Sequence, residues 1–328
     1  MRSTSARLRL GPPALTGGAV VLVFALTAAL GFDDSTGSPE SEAFVGSVPW
    51  IVWRMVGAAA IVLFLGLLVT AIRVLIAADE WGIQASTARR WAYVACAAAG
   101  VGALIVARIL AGANNPDVPV NNLEVRVLCI LLPALTASVP WLVLVWLAHD
   151  TCHLLRDRIE SLPPIPLRPT DVPAADVKPN PHREVITRLL RLWDLLVLCV
   201  GAFALGVIAA IVTSSSLRAA FIDAHPDRAD EFPAVNVLYY GALFAVLASV
   251  LNVPLVAAWR RCARAVVDQS YPLPPDGQPS EDWVAARTRL ENLLHLDVSL
   301  LRNPLTGLTI LSPLLTSALA AFLPQLGN

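Results

Sequence analysis

PHREVITRLLRLWDLLVLCVGAFALGVIAAIVTSSS, residues 181–216, decides the fold class. Asn180 stands as an N-cap before Pro181 at the first helical position, which is the opening chemistry of a helix. Helical periodicity then runs uninterrupted from His182 to Ser214. His182–Ser216 would make about 52 Å of helix at 1.5 Å per residue. The hydrocarbon core of a bilayer is about 30 Å thick. One helix is therefore expected to cross a membrane and to continue for several turns beyond it.

The rest of the chain has the same character. Its 328 residues are 56% hydrophobic and 15% charged, with a mean hydropathy of +0.64. Soluble domains carry about 25% charged residues. Apolar runs at Pro13–Phe32, Trp50–Ala77, Trp91–Ala113, Arg126–Ala148, Val235–Trp259 and Leu305–Leu323 read as further spans, with the quoted helix as the fifth in order. The expectation is an all-α membrane protein, a single polytopic domain over residues 1–328. It is a bundle of seven transmembrane helices, or six if the first run is a signal peptide cleaved near Ala29-Leu30-Gly31. The length of that run favours a retained span. Pro133 and Pro140 should kink the fourth.

Positive charge sets the orientation. Of the 24 Lys and Arg, all but Arg54, Arg108, Arg126, Arg218 and Arg228 fall on one side of this arrangement. Positive loops stay inside. The chain is thus expected in the cell membrane, with its N-terminus cytoplasmic and its C-terminus external. The larger cytoplasmic loops are 149–191 and 260–304. Each follows a span with a Val-Pro pair (Val139-Pro140, Val253-Pro254), and each carries a Trp, then Cys152 or Cys262, then Leu-Pro-Pro. This plan reads as a repeat or as shared boundary chemistry.

The second loop contains PLPPDGQPSEDWVAARTRLENLLHLD, residues 272–297. The prolines stop the preceding helix. Ser280 stands as an N-cap, with Glu281 and Asp282 in the first turn. Trp283, Leu290, Leu293 and Leu294 then share an apolar stripe, expected to end at a break near Leu296–Asp297. That stripe is a candidate docking face for a cytoplasmic protein partner; its alternative is packing under the chain's own bundle.

Chemistry-bearing residues are few. His149 and His153 share a helix face with Cys152 beside them, a weak metal or haem edge that no third ligand completes. Arg54, Arg108 and Arg126 form a candidate basic vestibule at the outer side; headgroup snorkelling is the plainer account. The five Cys read as small apolar fillers. A net charge of −1 points to no nucleic acid. No phosphate-binding or hydrolase motif occurs, and no cofactor is implied. The sole lysine, Lys178, lies in a loop, which excludes a retinal Schiff base. The bilayer centre holds almost no ionisable group, which argues against proton pumping.

The pattern Pro272-Leu-Pro-Pro275, Trp283, Arg287, Leu290-Glu291, Leu293-Leu294, Leu296-Asp297 and Ser312-Pro-Leu-Leu315 resembles the tail of an uncharacterised family of actinobacterial multi-pass membrane proteins. The resemblance covers only this C-terminal stretch and implies no activity. Two function classes follow from the residues: a non-enzymatic membrane component that docks a partner through its cytoplasmic helices, and a channel or transporter for an uncharged or anionic solute. A metal- or haem-binding enzyme ranks third.

Overall fold

The computed structural model describes residues 12–110, 118–163, 165, 181–275, 277–296 and 316. Among them the secondary structure is helical, with no strand. The helices are α1 (Pro12–Leu30), α2 (Pro39–Val45), α3 (Val48–Ile76), α4 (Thr87–Leu110), α5 (Leu123–Glu160), α6 (Pro181–Ala224), α7 (Ala234–Ser270) and α8 (Glu281–Leu293). The run expected as a seventh span, Leu305–Leu323, lies outside the described residues apart from Thr316, as do the N-terminal arginines and Lys178.

Five helices, α3 to α7, are long and apolar enough to cross a membrane. α6 is continuous from Pro181, as its periodicity predicts, and its 44 residues make about 66 Å of helix. It does not end near Ser216. Thr213 Oγ1 donates to Ala209 O at 2.8 Å and Ser216 Oγ to Thr213 O at 2.9 Å, so the hydroxyls bond back into the helix and leave its ladder intact. α5 likewise runs on from the expected fourth span through the histidine segment to Glu160 without a break. Pro133 and Pro140 lie inside it.

Four helices form a ring in which α3 touches α5 and α6, and α7 touches the same two from the other side. α1 packs on α3, α4 on α5 and α8 on α7. α3, α5 and α7 run parallel: Gly57 near the start of α3 meets Ile130 near the start of α5, and Gln84 N just past the end of α3 donates to Thr151 Oγ1 far along α5. α6 is antiparallel to them, His182 at its start meeting Ser270 at the end of α7. The C-terminal parts of α5 and α7 and the N-terminal part of α6 meet at one end of the bundle, which we call the extended end. Its core includes Leu147, Leu155, Leu189, Leu195, Trp259 and Val266. A second core, around Trp50, Trp53, Phe64, Ile130 and Phe221, sits at the opposite end. The outward surfaces are apolar too: Phe24, Leu104, Leu243, Val246 and Val250 are all exposed. A surface of this kind suits hydrocarbon better than water.

Two glycines allow close approach. At Gly57, an added Cβ would lie 2.6 Å from Ile130 Cδ1, so this glycine lets α3 and α5 meet. Gly82, in the turn after α3, has φ +81 and faces the backbone of α6; a Cβ would lie 3.2 Å from Arg188 O. Gly82→Ala combines left-handed strain of about 1–2 kcal/mol with that crowding. We expect a clear fall in thermal midpoint in detergent. Gly100→Ala, where the added methyl meets nothing within 4 Å, should leave the midpoint unchanged or raise it.

Candidate functional site

The extended end is tied together by polar contacts between distant parts of the chain. His182, buried at the start of α6, pairs through Nε2 with Pro163 O at 2.6 Å and through Nδ1 with Ser270 Oγ at 3.2 Å. A carbonyl can only accept, so Nε2 carries a proton and donates. Gln269 Nε2 donates to Leu162 O at 2.7 Å, and Ile165 N to Ser270 O at 2.9 Å. Trp259 Nε1 donates to Leu189 O at 2.9 Å, joining α7 to α6. The ends of three long helices are thus held in one arrangement.

α8 lies against this assembly. Ser280 caps it through Trp283 N at 3.3 Å, as its position predicts. Arg287 reaches Asp268 at 2.6 Å, Glu291 at 3.0 Å and Tyr271 O at 3.3 Å. Partial burial pulls the Arg287 guanidinium down, but its hydrogen bonds to Asp268 and Glu291 outweigh that and leave it above the ordinary arginine value.

The stripe on α8 divides. Leu290 and Leu294 are buried in the chain's own core. Trp283 is half-buried, with Nε1 donating to Pro272 O at 3.0 Å, and Leu293 is 50% exposed. Leu290 and Leu294 therefore face inward, and Leu293 belongs to a different face. Leu290→Asp should remove about 1.5–3 kcal/mol of burial and strand a charge, whereas Arg289→Asp, on the exposed side, should be nearly silent. Yield in the membrane fraction compares them; equal yields would rule out Leu290 as a packing residue.

Where α5 and α7 run side by side, a cavity of about 120 Å³ opens at the surface. His149, Cys152, His153 and Arg156 line it from α5. Pro254, Ala258, Arg261 and Cys262 line it from α7. The imidazoles of His149 and His153 meet edge to face at 4.7 Å, on one helix face as their spacing predicts. Cys262 Sγ donates to Cys152 O at 3.0 Å, and both thiols are free. The two spans that share a sequence plan are thus neighbours, level with each other at their cysteines. No group of three or more His, Cys, Asp or Glu suited to a metal ion occurs among the described residues.

Two of the candidate vestibule arginines, Arg54 and Arg126, meet at one buried carboxylate. At the end opposite the extended one, Asp34 is 5% exposed and accepts from Trp50 Nε1 at 3.0 Å and Arg54 Nη1 at 3.3 Å. Arg126 Nη1 lies 3.9 Å from the same carboxylate. Arg126 also donates to Leu30 O, to Phe32 O at 3.1 Å and to Asp33 O at 3.2 Å, clamping the segment that follows α1. Gly31 leaves room for this, since a Cβ there would overlap Arg54 Nη1. The side chain of Arg108 lies outside the described residues. Sequence reasoning placed Asp34 in an acidic loop and missed its role. The available signal was charge balance: two arginines near the ends of apolar runs need an acid within reach.

Comparison with family models, with curated proteins and with solved structures returned no match.

Proposed function

We propose that this chain is a non-enzymatic, multi-pass component of the cell membrane that docks a protein partner at its extended end. In this reading the membrane is crossed seven times, with Leu305–Leu323 as the last span, the N-terminus and the extended end cytoplasmic, and the C-terminus external. The first span is retained: Leu30 is buried in the core and its carbonyl accepts from Arg126, so cleavage at Ala29-Leu30-Gly31 would break both contacts. The C-terminal resemblance to actinobacterial multi-pass proteins belongs to the same reading.

One observation carries the docking function. α5, α6 and α7 together form an extended, cross-bonded end that includes α8. Crossing a bilayer takes about 20 residues, whereas α6 alone has 44. A platform of this kind presents side chains in fixed positions beyond the hydrocarbon. Transport is disfavoured because buried polar residues cluster at the two ends. Asn252 is the buried polar side chain that stands apart from them among the described residues, and its amide donates to Ala248 O within its own helix.

Two measurements test the proposal. A reporter active only in the cytoplasm should be silent when fused after Asn328; activity there overturns the topology. A photo-crosslinking residue at exposed Leu293 or Val284 should yield one discrete protein adduct in cells, and one at exposed Leu104 on α4 should yield none. No adduct from either α8 position would remove the docking function.

A further inference from the structure

We infer that the cavity between α5 and α7 is a binding site for the phosphate of an anionic phospholipid headgroup. The inference concerns a different surface from the docking face and stands without a protein partner.

The cavity has a polarity gradient. Pro254 and Ala258 form its apolar end, and Arg156 and Arg261 lie toward the end of the bundle. Pro254 to Cys262 covers about 12 Å along the helix axis, a distance over which a lipid passes from glycerol to headgroup. Cys152 and Cys262, joined at 3.0 Å, set the level of the two helices and form the buried floor. Both helices are long and apolar enough to cross a membrane, and the cavity's lining residues His153, Arg156, Pro254 and Arg261 are exposed, so the mouth opens between the two helices. A molecule reaching that mouth from the bilayer meets apolar walls first and two guanidinium groups next.

Those guanidinium groups are available. Arg261 is exposed and makes no ion pair among the described residues. Arg156 pairs only with Glu160 on its own helix, at 3.4 Å, with both side chains about two-thirds exposed. Such an i,i+4 surface pair is weak, and a phosphate offers a guanidinium two acceptor oxygens at once. His149 and His153 add ring nitrogens on the same wall. No Asp or Glu lines the cavity itself, so its lining carries a positive excess; the neighbouring acids are Glu160, paired with Arg156, and Asp150, next to His149 in the chain. Basic pockets between transmembrane helices at the cytoplasmic side suit anionic headgroups, and a zwitterionic lipid supplies the phosphate without the net charge.

The experiment uses the full chain, purified in mild detergent and exchanged into nanodiscs of phosphatidylcholine with a minor fraction of phosphatidylglycerol. Native mass spectrometry counts retained lipids. Phosphatidylglycerol should be retained over phosphatidylcholine. Arg156→Gln and Arg261→Gln should each lower its retention about five-fold, and the pair about twenty-five-fold, following the usual value of one basic residue near an anionic surface. The Arg156→Lys/Arg261→Lys pair keeps the charge and should keep most of the binding. Arg289→Gln, on exposed α8, should change nothing. Equal retention of phosphatidylglycerol in wild type and the double Gln variant would overturn the site. So would equal retention of the two lipids. A thermal upshift by inorganic phosphate that depends on both arginines, without selective lipid retention, would replace the lipid by a free phosphate and overturn the inference as stated.

Discussion

Asp34→Ala is expected to destabilise the bundle by about 3–5 kcal/mol, the cost of breaking a buried ion pair from one side. The carboxylate is 5% exposed and is shared by the indole of Trp50 and the guanidinium groups of Arg54 and Arg126. Removing it leaves two positive charges facing each other across apolar surroundings. Arg126 keeps its bonds to the carbonyls after α1, but Arg54 keeps none of comparable quality, and its Nε already lacks a partner. Asp34→Asn should fall between wild type and Asp34→Ala, because an amide oxygen can still accept from Trp50. Arg54→Met placed on Asp34→Ala should restore part of the loss by deleting one stranded charge. Thermal midpoints in detergent, with yields from the membrane fraction, rank the four proteins. A midpoint for Asp34→Ala close to wild type would mean that water or headgroups reach both arginines freely.

Trp259→Ala should cost a comparable amount, about 3–5 kcal/mol for a fully buried aromatic truncated to a methyl. Trp259 is 0% exposed, donates to Leu189 O at 2.9 Å and packs on Trp193 at 4.6 Å between ring centroids. Trp193 stacks in turn on His295, just past the end of α8. The loss therefore falls on the joint between α6, α7 and α8. Trp259→Phe fills most of the space but forfeits the hydrogen bond, and about 1 kcal/mol is expected. Limited trypsin digestion checks the location: cleavage at Arg183, Arg188 and Arg191 should quicken in Trp259→Ala and not in Asp34→Ala. Equal protection in all three would place the weakened region elsewhere.

The long helices were legible because membrane-scale hydrophobicity and backbone rules act locally. Pro181 opening α6, Ser280 capping α8 and the unbroken periodicity of α6 each depend on residues within a few turns. The same locality explains the misjudged ends. The serine run at 214–216 looks like a terminus, but the hydroxyls of Thr213 and Ser216 bond back into the helix, and nothing nearby stops the chain before Ala224. The end of α8 was obscured for another reason. His295 takes φ +51, with its N–H on Asn292 O and the Leu296 N–H on Glu291 O, a closing turn that normally selects glycine. Leu296 packs against the core beside it, and that burial favours a conformation the local sequence does not advertise.

Sequence alone therefore determined the all-helical class of the fold, the five long apolar helices α3 to α7, and the cap that starts α8. Tertiary structure alone decided which charges meet. Asp34 and Arg126 lie far apart in sequence and come together only because α1, α3 and α5 converge at one end of the bundle. Cys152 and Cys262 become level because α5 and α7 are parallel neighbours in the ring. Leu290 and Leu293 have nearly the same hydrophobicity, and only the position of α7 beneath α8 selects which is covered. Apolar character is a property of each residue, whereas pairing depends on where two distant segments end, and no local pattern encodes that distance.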